Sequence, residues 1–149
     1  KVGNDEFGRT VVNALKEKIH PIVCVGESVR DNTGDYLTFI KNQIHECLKS
    51  VSKADMKNVS IAYEPIWAIG ASASRVATVE EFTEIKIFIK KILSLMYDIK
   101  VANSTSIIYG GSVHPDNGNS FVLGGADGLL VGRDSLSEKD FNKIVQSIK

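Results

Sequence analysis

Four short, mostly apolar runs recur along this chain, each closed by a glycine or by a Glu-Pro pair, and a longer helical pattern follows each of them. That alternation constrains the fold more than any other feature. The runs span 21–25, 59–63, 106–109 and 128–131, and they end at Gly26, Glu64-Pro65, Gly110-Gly111 and Gly132. Runs of this length without polar alternation suit parallel strands covered on both faces. Between them, residues 5–18 place Phe7, Val11, Leu15 and Ile19 on one helical face. Residues 36–51 do the same with Ile40, Ile44, Cys47, Leu48 and Val51. Thr78 and Glu81 have capping-box spacing, ahead of a stripe of Phe82, Ile85, Ile89, Ile92 and Met96. A short helix is expected over 117–123. A last one, capped by Ser137 and Asp140, carries Phe141, Ile144, Val145 and Ile148.

The order is one helix, then four strand–helix units, which is an α/β pattern with a parallel sheet. Two architectures fit: an open doubly wound sheet, or part of a (β/α)8 barrel. A whole barrel takes about 250 residues. Four strands cannot close one, so the barrel reading requires a missing half. The chain begins at Lys1 rather than Met, as expected of a processed chain or a piece of a longer one.

Composition removes several function classes. Eighteen Lys and Arg balance eighteen Asp and Glu, which argues against nucleic acid or an anionic membrane as the main partner. No apolar run reaches the roughly 18 residues of a membrane span, and no signal-peptide pattern opens the chain. Cys24 and Cys47 have no CxxC spacing and read as two buried free thiols. There is no zinc spacing, Walker loop, GxSxG elbow or GxGxxG. His20 stands at a strand start, the wrong end for a site. His45 lies within a helix. His114 follows Ser112, within reach of a ligand, although a surface role is the plainer reading.

In this fold class, chemistry gathers at the C-terminal ends of the strands. Glu64 stands at such an end. Walls of Ile66, Trp67 and Ile69 would desolvate it and suit it to general-base work, while a solvated strand-end carboxylate is the plain alternative. Residues 65–77 form the longest irregular stretch. It has a rigid Pro65, an apolar tip and small residues from Gly70 to Ser74, a composition that suits either a lid or an ordinary loop. Gly110-Gly111-Ser112 and Gly132 can bring backbone N–H groups close to an anion, or simply make turns.

Taken in order, the four strand ends resemble the triosephosphate isomerase family along nearly the whole chain. Ala62-Tyr-Glu-Pro-Ile-Trp-Ala-Ile-Gly70 is similar to the family's catalytic glutamate and hinged lid. Ile108-Tyr-Gly-Gly-Ser-Val113 and Asp127-Gly-Leu-Leu-Val-Gly132 resemble its two phosphate-gripping strand ends, and Cys24-Val-Gly-Glu27 its fifth strand. The resemblance implies the C-terminal half of a (β/α)8 barrel, strands five to eight, within one domain spanning residues 1–149. It implies interconversion of dihydroxyacetone phosphate and D-glyceraldehyde 3-phosphate through an enediolate, in glycolysis and gluconeogenesis. Glu64 would be the catalytic base. Gly70, Ser112, Gly132 and Arg133 would hold the phosphate, Arg133 standing where the family has glycine. Pro65, Ile66, Trp67, Ala68 and Ile69 would form the lid, braced by Glu27, Ser112 and Tyr109. No cofactor or metal is implied. The full-length protein would be a cytoplasmic homodimer.

The departures bear on that reading. The lid ends Ala71-Ser-Ala-Ser-Arg75, about two residues longer than the family pattern. Gly3 and Leu123-Gly-Gly-Ala126 also differ from it. None of Lys1, His20, His45 or His114 falls in the family's carbonyl-polarising lysine and histidine motifs, so the chain alone is expected to be inactive. The alternative is a noncatalytic half-barrel that binds phosphate or pairs with another chain, with exposed strand edges as its liability. Another phosphate-binding barrel enzyme shares the glycine loops, but not the stretch from Ala62 to Gly70.

Overall fold

The computed structural model describes residues 3–70, 73 and 75–148. Helix α1 (Asn4–Lys16) ends where Lys18 takes φ 59°, and strand β1 (Ile22–Val25) follows. Helix α2 (Asp35–Leu48) starts from Gly34 at φ 87°, a left-handed entry that favours glycine. Strand β2 (Ser60–Tyr63) precedes a 3-10 turn, Ile66–Ala68. Helix α3 (Val79–Met96) begins with the expected capping box. Thr78 Oγ1 accepts the Glu81 N–H at 3.2 Å, and Glu81 Oε2 accepts the Thr78 N–H at 2.8 Å. Helix α4 (Ile99–Ser104), strand β3 (Ser106–Tyr109), helix α5 (Gly118–Leu123) and helix α6 (Glu138–Ser147) complete the order. Helix α4 has no counterpart among the helices expected from the sequence. Asp98 starts it by accepting the Val101 N–H at 2.8 Å.

The sheet is parallel, ordered β1-β2-β3, with Val25 opposite Tyr63 and Tyr63 opposite Tyr109. The expected fourth strand is reduced to a single parallel bridge, Tyr109 to Leu129. Backbone bonds still tie this run to β3: the Asp127 N–H donates to Ile107 O at 3.0 Å, the Tyr109 N–H to Gly128 O at 3.0 Å and the Leu130 N–H to Tyr109 O at 2.8 Å, while Asp127 Oδ2 accepts the Ile107 N–H at 2.7 Å.

Burial alternates along the edge strands. Val23, Val25, Ile107 and Tyr109 join the core with Ile40, Ile44, Phe82, Ile85 and Phe121, whereas Ile22, Cys24 and Ser106 are exposed. A doubly wound sheet would cover both faces. One covered face is the pattern of a barrel segment whose interior side lacks its opposing strands. Cys24 is therefore corrected from buried to exposed, while Cys47 is buried. The same opening explains why Phe7 (49% exposed) and Ile19 (58%) leave the expected α1 stripe uncovered. An apolar hollow of about 290 Å³ runs between α1 and the free edge of β1, lined by Phe7, Val11, Ile22 and Cys24 among others. At the far end, Ile144 alone of the α6 stripe is buried; Phe141, Val145 and Ile148 stay exposed.

Candidate active site

The C-terminal ends of β1, β2 and β3 bring the sequence-predicted residues to one rim. Backbone ladders do the placing. The Glu64 N–H donates to Val25 O at 2.8 Å, and the Gly110 N–H donates to Tyr63 O at 2.9 Å. Glu64 is half-buried, and its side chain lies over Gly110: a Cβ there would stand 2.8 Å from Glu64 Cγ and 3.3 Å from Oε1. On its other side is Cys24. Burial, then the Glu64 charge and a hydrogen bond to that carboxylate, push the thiol up to about 12. Of the apolar walls expected around Glu64, Ile66 is 56% exposed, because the 3-10 turn directs Ala68, not Ile66, into the core.

Glu27 is 1% exposed and works as a local anchor. Its Oε1 accepts from Tyr63 Oη at 2.9 Å and from Trp67 Nε1 at 2.8 Å, and Arg30 Nη1 lies 3.8 Å away. Burial, followed by the Glu27 charge, pushes the Tyr63 phenol up, so it serves as a donor. Ser112 Oγ donates to Ala68 O at 2.6 Å, a second tie between the β3 rim and the turn. Tyr109 is placed differently. Its ring stacks on Phe121 at 3.6 Å and meets Phe82 edge-on. Its buried hydroxyl sits beside the Ser112 N–H without hydrogen-bond geometry, and burial, then the Glu81 charge, push it up to about 12.

Beside this rim is a hollow of about 230 Å³, lined by Gly70, Ser112, Gly132 and Arg133, with His114 and Asp134 at its edge. Gly70 takes φ 80°, which a side chain would strain. His114 Nδ1 meets Asp134 Oδ2 at 2.8 Å, joining the loop after β3 to the 3-10 turn Arg133–Leu136. His114 is exposed, as its plainer reading expected, and still meets Asp134. Only the spacing Ser112-Val-His114, set against Gly132-Arg-Asp134, hinted at this meeting. His20 and His45 lie away from the rim, and Lys1 lies outside the described residues, as do Ala71, Ser72 and Ser74 of the expected lid's small-residue end. Among the described residues no cluster of His, Cys, Asp and Glu could hold a metal ion, and no helix is long and apolar enough to cross a membrane.

Residues 3–148 match the family model for triosephosphate isomerase. The chain is 40% identical over 147 residues to the triosephosphate isomerase of Caldanaerobacter subterraneus subsp. tengcongensis, covering 97% of this chain and 58% of the relative. It is 41% identical over 144 residues to that of Thermoanaerobacter pseudethanolicus, covering 95% and 57%. It is 39% identical over 141 residues to that of Chloroherpeton thalassium, covering 93% and 55%. The chain thus spans little more than half the length of these curated relatives.

Proposed function

The chain belongs to the triosephosphate isomerase family, and from that premise we propose that residues 1–149 form the C-terminal half of one (β/α)8 barrel that interconverts dihydroxyacetone phosphate and D-glyceraldehyde 3-phosphate. The observation that carries this reading is the Glu64 side chain lying over Gly110, one residue before the lining of the Ser112–Gly132 hollow. In the chemistry established for the family, a strand-end glutamate moves a proton between adjacent carbons. Glu64 takes that role here. The substrate phosphate occupies the hollow, held through backbone N–H groups of Gly70, Ser112, Gly132 and Arg133. Pro65 to Ile69 form the lid, which excludes water from the enediolate. Glu27, with Ser112, braces the lid, and Tyr109 supports the Ser112 loop from beneath. The carbonyl-polarising lysine and histidine are supplied by the other half of the barrel. The complete protein is a cytoplasmic homodimer of glycolysis and gluconeogenesis.

The test is Glu64→Asp in the full-length protein. Drawing the carboxylate back by one methylene should lower kcat on the order of 100-fold, with a much smaller change in KM. An unchanged kcat removes Glu64 as the base.

A second reading is favoured by the uncovered β1 edge and its apolar hollow: a noncatalytic half-barrel that pairs with a separate chain. A 149-residue product that binds phosphate but has no isomerase activity would select it.

A further inference from the structure

Trp67 sits between two charged groups held by different parts of the fold. Its indole N–H donates to Glu27 Oε1 at 2.8 Å. The Arg75 guanidinium lies over its ring, 4.4 Å from the centroid. Arg75 is itself fixed by Glu81, with Nη1 donating to Oε2 at 2.8 Å and Nη2 to Oε1 at 2.5 Å. Glu81 belongs to the capping box of α3, so its carboxylate is anchored to a long, well-packed helix. A continuous path therefore runs from the α3 N-terminus through Arg75 to the turn that carries Trp67.

Arginine suits this place because its planar group can pair edge-on with a carboxylate while its face stacks on an indole. Lysine can do neither in the same way. The Arg75 side chain is 50% exposed, so the ion pair alone contributes little. Stacking and pairing through one guanidinium give the contact its directional hold. Arg30 lies 3.8 Å from Glu27 and 3.5 Å from Glu81, so neither carboxylate is left without a cation when Arg75 is removed.

We propose that Arg75 is a positioning residue that latches Trp67, and with it the Ile66–Ala68 turn, in its present place by stacking on the indole while paired with Glu81. Movement of the turn requires the latch to release. The inference rests on the reading of this turn as the lid. A contact of this exposed kind biases an equilibrium about two- to fivefold. The Arg75–Glu81 half of it weakens with salt, since exposed ion pairs are screened.

The experiment is acrylamide quenching of Trp67 fluorescence in the substrate-free full-length protein, with Trp67→Phe as the blank. Trp67 is the one tryptophan of this chain. The variants are Arg75→Met, Arg75→Lys and Glu81→Gln; the last keeps an oxygen to accept the Thr78 N–H, so the α3 cap survives. Each variant should increase quenching while keeping a single cooperative thermal unfolding transition. Lysine should fail to rescue, and Arg75→Met with Glu81→Gln should add little to either alone. In isomerase assays the same variants should shift KM about two- to fivefold, more than kcat. Unchanged quenching in both Arg75→Met and Glu81→Gln overturns the latch, whatever the activity. Altered quenching in a protein without isomerase activity leaves the latch standing and removes the functional reading instead.

Discussion

Gly110 lies under the side chain of Glu64 so closely that a Cβ at position 110 would stand 2.8 Å from Glu64 Cγ. This glycine is required by space and not by backbone conformation, since its φ is not among the positive ones. Gly110→Ala should therefore fold but push the carboxylate off its place. A shift of about 1 Å costs on the order of 100-fold in rate when geometry is limiting. Steady-state kinetics of the full-length variant would measure it. A normal kcat would mean that the Glu64 side chain has room to adjust.

Cys24 should be a slow nucleophile despite its exposure. Burial of part of the group, then the Glu64 charge and hydrogen bond, raise the thiol from 9.0 to about 12. Iodoacetamide should react with it far more slowly than with a free thiol at pH 8.5, and Glu64→Gln should speed the reaction. The sign for stability follows. A folded value above the unfolded one favours folding most below about pH 9, and the contribution is lost as pH rises toward 12. Cys24→Ser should flatten that alkaline loss in a thermal-melt series. Equal alkylation rates with and without the Glu64 charge would contradict the contact.

Glu81 acts on the acid side. The Arg75 hydrogen bonds, foremost, hold its carboxyl down at about 2, against an ordinary 4.5. Because the folded value is depressed, its contribution is complete above about pH 4.5 and is lost as pH falls toward 2. The Tm difference between the parent and Glu81→Gln should shrink across that window. A difference independent of pH would mean that the Glu81 charge contributes nothing to folding through Arg75.

His114 and Asp134 meet at 2.8 Å and join the two loops that line the hollow of Gly70, Ser112 and Gly132. Breaking the pair with His114→Ala or Asp134→Asn should loosen the spacing of the loops. An exposed pair of this kind is worth up to about 1 kcal/mol, so KM should rise up to about fivefold with kcat nearly kept. Inhibition by inorganic phosphate should weaken by the same factor. Parallel losses in kcat would place the pair closer to the chemistry than its geometry suggests.

The local elements of the fold were legible in the residues alone. The apolar runs stopped by Gly26 and Gly110-Gly111 became β1 and β3, the Thr78–Glu81 spacing became a formed capping box, and the strand-end stretches carried the family resemblance. Such signals lie within a few residues of one another, where periodicity and capping act directly. The rest was settled by packing. The fourth run was reduced to one bridge, and the bare inner face of the sheet left Cys24 exposed. Glu27 was joined to Trp67, forty positions away, and Arg75 was laid over the indole. These outcomes depend on which side chains the packed sheet and helices bring together, and no local pattern records that meeting.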